Sequence, residues 1–160
     1  MTTKSDFSDE EWARLRRAPF VAGMAISIAD PGGPIEVAKE TIASMRVASV
    51  PPSEEELLLS LAHDIQAMAQ QNRNPMGDFK PTNAALAARQ VLDELRAASE
   101  IVTAKATPEE AAAFRRWLMT TAQAAADAAK EGGFMGFGAE QVSQGEQAML
   151  DQLRSTIGAN

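Results

Sequence analysis

The chain contains no cysteine, no tyrosine and a single histidine, His63. The lack of cysteine excludes disulfide frameworks, thiolate zinc sites, iron–sulfur clusters and cysteine nucleophiles together. One histidine is too few for His-rich metal centres or for the paired Glu-x-x-His motif of di-iron bundles. Long apolar runs are also missing, and none approaches the roughly 20 residues needed to span a bilayer. Residues 1–7 are polar and lack the apolar stretch of a signal peptide, so the expected address is a bacterial cytoplasm. Positive charge is scarce: 15 bases stand against 22 acids, a net charge of −7. A field of that sign repels phosphate backbones and argues against nucleic acid as a partner. The densest basic stretch, Arg14, Arg16 and Arg17, follows Asp9, Glu10 and Glu11 and reads as a solvated helix face.

What is present describes an ordinary globular domain. The 160 residues are 45% apolar and 23% charged, and a chain of this length buries roughly 70% of its unfolded surface. Helix starts are marked by Ser or Thr followed three residues later by Glu, as in Ser8 with Glu11, Ser53 with Glu56, Thr107 with Glu110 and Ser143 with Glu146. In this capping box the hydroxyl accepts from the N3 amide and the Glu side chain accepts from the N-cap amide. Pro108 falls at a first helical position, and Gly132, Gly133 and Gly158 fall just past helix ends.

Between these marks the spacing predicts helices near 8–17, 19–29, 35–48, 53–71, 82–104, 108–131 and 143–157. Their apolar stripes recur at helical spacing: Leu58, Leu61, Ile65 and Met68, then Ala88, Val91, Leu92, Leu95 and Val102, then Phe114, Trp117, Leu118, Thr121 and Ala125. No useful period-2 alternation occurs. The expected fold is all-α, a compact bundle of six or seven helices around the apolar 19–29 helix. Residues 1–7 read as a disordered N-terminal tail and residues 8–160 as one helical domain. Residues 72–81, with Pro75, Gly77 and Pro81, read as a mobile connection.

Two segments share a plan of apolar helix, Gly-containing loop and acid-opened helix. The first carries Ala29, Asp30, Gly32, Gly33, Ile35, Glu36 and Glu40. The second carries Val142, Ser143, Glu146, Leu150, Leu153, Ile157 and Gly158. Together they resemble the TerB-like (tellurite-resistance B-type) helical family over about a third of the chain. The resemblance implies a compact all-helical cytoplasmic domain from a bacterial stress or metal-response setting, with no known catalytic reaction.

Three functional classes remain in view. The first is a non-catalytic module that binds a protein partner or forms a homodimer. Its expected contact is the glycine-rich loop with Phe134, Met135 and Phe137, where one Phe is expected to pack inward and the remaining apolar surface, with Met135, to meet the partner; burial of both Phe side chains is the alternative. The methionines Met24, Met45, Met68, Met119 and Met149 read as core filler, with an adaptable groove as the alternative. The second class is a weak divalent-cation binder. Asp30 stands where the helix macrodipole disfavours a carboxylate, and Glu36 and Glu40 lie one turn apart behind it. Such an oxygen set suits Ca²⁺ or Mg²⁺, with Glu140 or Glu146 as further ligands. Lys39 lies between the two glutamates, however, and Asp30 with Pro31, Gly32 and Gly33 equally describes a turn. The third class is an enzyme working with carboxylates alone. His63 is offset from its helix's apolar stripe, Asp64 faces another direction, and no nucleophile elbow or phosphate-binding loop occurs.

Overall fold

The computed structural model describes residues 2–29, 41, 45–48, 50, 53–82, 85–130 and 144–158. Five α-helices account for most of these: α1 (Asp9–Ala29), α2 (Glu56–Gln70), α3 (Ala87–Lys105), α4 (Pro108–Lys130) and α5 (Gln144–Ile157). Among the described residues there is no β-strand. The all-α bundle is therefore as the periodicity predicts.

Helix α1 is the hub. It packs against all four other α-helices, most extensively against α3 and α4. The expected break between 17 and 19 does not occur: α1 runs through Pro19 without interruption. An internal proline removes one backbone hydrogen bond and costs about 3 kcal/mol. Here Trp12, Leu15 and Ala18 before it and Val21, Ala22, Ala25 and Ile26 after it are all buried in one core. Each large apolar side chain among them contributes about 1.5–3 kcal/mol, so shared burial outweighs the local penalty.

Two of the predicted capping boxes form as drawn. The Ser8 N–H donates to Glu11 Oε2 at 2.8 Å and the Glu11 N–H to Ser8 Oγ at 3.1 Å. Thr107 and Glu110 repeat the pair at 3.1 Å in both directions. The Ser53 box is different, because Glu55 is the N-cap and α2 begins at Glu56. Ser143 lies outside the described residues. Helix α3 starts at Ala87 rather than 82. Ahead of it, Thr82 and the Gln90 side chain hydrogen-bond reciprocally at 3.0 and 2.9 Å. Gly158 ends α5 at φ +78°, its N–H donating to the Arg154 carbonyl at 3.0 Å.

The N-terminal segment, expected as a disordered tail, is docked on the bundle. Residues Lys4–Asp6 form a 3₁₀ turn, and Phe7 is buried against Trp12 with ring centroids 5.6 Å apart. Thr2 is buried, and its N–H donates to Glu110 Oε1 at 3.2 Å. The apolar Phe7 and the carboxylate at the head of α4 give this segment partners that lie far away in sequence. The core proper sits between α1, α3, α4 and α5, where Leu15, Leu95, Phe114, Trp117 and Leu153 are wholly inaccessible.

Candidate binding pocket

On one flank of α1 the burial is incomplete. Phe20, Met24 and Ser27 are half-buried and Gly23 is buried, all on the face that continues the helical row from Arg16. Opposite them stand Thr41 and Met45, and the turn of Asn74, Pro75 and Met76 closes the side. Together these residues enclose a pocket of about 260 Å³. Its wall is mostly apolar and includes three methionines, whose unbranched thioethers repack around different shapes. Met45 is 46% exposed at the rim. Of the methionines read from sequence as core filler, Met68 and Met149 are buried, whereas Met24 and Met45 line this pocket.

The turn that closes the pocket is built by its sequence. Asn72 follows α2 at φ +55°, a left-handed conformation that Asn tolerates well. The Asn72 N–H donates to the Ala69 carbonyl at 3.1 Å and the Arg73 N–H to the Met68 carbonyl at 2.8 Å, a Schellman cap. Asn74 Oδ1 then accepts the Met76 N–H at 2.9 Å, and the Gly77 N–H, at φ +58°, donates to the Asn74 carbonyl at 3.1 Å. Met76 and Phe79 pack on the core. The segment expected as a mobile connection is thus a run of hydrogen-bonded turns.

The arginines at the N-terminal side of the pocket are not the solvated face that local charge balance suggests. Arg17 Nη2 lies 2.6 Å from Glu94 Oε1, Arg14 Nε lies 3.2 Å from the same oxygen, and Glu94 is only 9% exposed. The Arg17 guanidinium also stands 5.6 Å from the centre of the Phe79 ring. Arg16 turns instead toward Asp64 on α2, with Nη1 to Oδ2 at 3.9 Å. That oxygen is already engaged by the Trp12 indole N–H at 2.7 Å and by Lys4 Nζ at 3.0 Å. The Arg16 Nε is buried and has no hydrogen-bond partner. Burial pushes the Arg16 guanidinium below its ordinary pKa; Asp64 opposes this, and the nearby charges of Arg73 and Arg17 add to it. Arg73 is exposed and forms no ion pair among the described residues.

The carboxylates in this region are held as anions. Partial burial raises the Asp64 pKa, but the hydrogen bonds from Trp12 and Lys4 and the charges of Lys4 and Arg16 outweigh it and leave it lowered. Glu110 is lowered in the same way, with burial opposed by hydrogen bonds from Thr2, Thr107 and Leu57. A general acid needs a raised carboxyl pKa, and these two groups are driven the other way.

Most of the predicted site residues lie outside what the structure describes. Asp30, Glu36 and Glu40, proposed as cation ligands, lie outside the described residues, as do Glu140 and the loop residues Phe134, Met135 and Phe137. Glu146 is described and is buried on α5. Among the described residues, no group of three or more His, Asp or Glu side chains could hold a metal ion. His63 is exposed on α2 while its neighbour Asp64 faces the bundle. Sequence reasoning missed Phe20, Arg16, Arg73 and Met76 as a set. The i, i+4 row of Arg16 and Phe20, read on to Gly23, Met24 and Ser27, was the available signal. The chain matches no protein-family model, no curated protein and no solved structure.

Proposed function

We propose that this chain is a non-catalytic helical module that binds a protein partner, or a second copy of itself, through the methionine-lined pocket beside α1. The observation that carries the reading is the pocket's composition: an apolar wall with Met24, Met45 and Met76, beside a helix whose other flank is buried in the core. Methionine-rich concavities serve adaptable recognition of apolar side chains. The volume of about 260 Å³ is below the roughly 300–1,000 Å³ of small-molecule pockets and suits one or two side-chain anchors better than a drug-sized ligand. The TerB-like resemblance of the segments around Asp30 and Ser143 supports a bacterial, cytoplasmic stress or metal-response setting. No helix among the described residues is long and apolar enough to cross a membrane.

The test is a photocrosslinking amino acid placed at position 45 in cells that make the protein, with position 100 as the control. Glu100 is exposed on α3 and does not line the pocket. A discrete protein adduct, hetero- or homotypic, formed from position 45 and not from position 100 supports the reading. Equal labelling from both positions, or none from 45, removes it.

A further inference from the structure

Two arginines adjoin the pocket-lining residues without lining the pocket themselves, and their charge constrains what occupies it. Along α1, Arg16 precedes Phe20 by four residues, so it sits one turn N-terminal on the same row as the pocket-lining side chains. Across the gap, Arg73 immediately precedes the Asn74–Met76 wall in sequence, and the Schellman cap of α2 fixes its backbone. Burial lowers the Arg16 pKa, and the positive charge of Arg73 adds to that lowering. Their state of compensation differs from that of Arg17, which is clamped on buried Glu94 at 2.6 Å. Arg16 has only a 3.9 Å approach to an Asp64 oxygen that two other donors already occupy, and its Nε is unpartnered. Arg73 has no ion pair among the described residues. On a chain of net charge −7, an under-neutralised pair of arginines beside an apolar concavity stands out as a place that favours a carboxylate.

We infer that the occupant is an acidic amphipathic helix of another protein, which seats an apolar side chain among Phe20, Met24, Met45 and Met76 and presents a carboxylate one turn away to Arg16 and Arg73. This rests on the interaction reading above and adds the partner's chemistry. Apolar anchors at helical spacing suit a groove walled by a helix, and guanidinium groups pair well with a carboxylate. The charge pair supplies orientation, because a helix docked in reverse would place its carboxylate over the methionines.

The experiment is selection of peptides from a random phage-displayed library on the full-length chain. Affinities of the selected peptides are then measured by fluorescence anisotropy against the parent, Met45→Asp and Arg73→Glu. Both substitutions fall on exposed side chains, and thermal melts confirm that the variants fold. The expected result is a consensus with Glu or Asp three or four residues from a large apolar residue. Binding is lost in Met45→Asp, weakened at least tenfold in Arg73→Glu, and recovered there when the peptide's acid is changed to Lys. Peptides lost in Met45→Asp but indifferent to Arg73→Glu, or with neutral or basic consensus, overturn the charge inference and leave the pocket reading intact. Peptides indifferent to Met45→Asp, or no selected peptide at all, remove both. A parent dimer in light scattering that Met45→Asp converts to monomer makes the occupant a second copy and overturns the inference alone.

Discussion

The two flanks of α1 are made from the same helix and end differently. On one, Leu15, Val21, Ala22, Ala25 and Ile26 are buried in the core with no exposure, on a helix that packs against α3, α4 and α5. On the other, Phe20, Met24 and Ser27 look into a partly open concavity. The difference lies in what faces each flank. Whole helices with their own apolar stripes cover the first, whereas Met45 and a short run of turns stand opposite the second. A close-packed core tolerates no gap, because lost contacts and a cavity are both costly. A surface concavity lined with methionine carries no such penalty and keeps apolar area available for recognition. Charge divides the same way: Arg17 is fully engaged by a buried carboxylate, and Arg16, its neighbour in sequence, is not.

The sharpest way to break this contrast is Trp117→Ala. Trp117 is wholly buried in the sealed region, and its indole N–H also donates to the Val47 carbonyl at 3.3 Å, tying the helical residues 45–48 to α4. Its removal is expected to cost about 3–5 kcal/mol in chemical denaturation. A loss below about 1 kcal/mol would show that the core does not lie there.

Next comes Glu94→Gln, which strips the charge from the carboxylate shared by Arg14 and Arg17. An expected loss of about 1–3 kcal/mol reflects weaker hydrogen bonds and two under-compensated guanidinium groups. A double-mutant cycle with Arg17→Met should give a coupling of roughly 0.5–3 kcal/mol. Additive effects would mean that the pair is not coupled.

A smaller effect is expected on acidification. The folded-state pKa values of Asp64 and Glu110 lie below their ordinary values, so the folded chain binds these protons less tightly than the unfolded one. Their contribution to stability is complete above the ordinary carboxylate range of about 3.9–4.3 and is lost as pH falls through it toward the lowered folded values. Thermal melts from pH 6 to pH 3 should show Asp64→Asn less stable than the parent at pH 6, with the gap closing at low pH. A gap independent of pH would contradict the assignment.

The smallest expected effect belongs to the open flank. Met45→Ala should change stability by no more than about 0.5 kcal/mol, as exposed substitutions do. A loss approaching that of a core residue would place Met45 in the structural interior and weaken its role as a recognition surface.

Much of the architecture was legible because it is local. The Thr107 and Glu110 box, Pro108 at the start of α4, and Gly158 at the end of α5 involve residues within one turn of each other. The buried positions of α2, Leu58, Leu61, Ile65 and Met68, follow from a 3.6-residue period alone. Failures occurred where a local signal met a distant partner. Residues 8–17 and 19–29 read as two helices, yet α1 continues through Pro19 because both sides share the core. Phe7 read as part of a tail, yet Trp12 and Lys105 cover it. The arginines of α1 read as balanced by Asp9, Glu10 and Glu11, yet Arg14 and Arg17 reach a carboxylate on α3.

By itself the sequence determined the fold class, most helix spans and which face of each helix is apolar, since those depend on backbone propensity, caps and spacing within four residues. Only the tertiary structure decided which charges pair and where apolar surface stays open. Arg17 meets Glu94 across 77 positions, Trp12 meets Asp64 across 52, and Thr2 meets Glu110 across 108. The pocket likewise draws on α1, residues 41 and 45, and the turn at 74–76. Electrostatic strength depends on distance and burial in three dimensions, and a concavity exists only between elements, so neither is written in the period of any single helix.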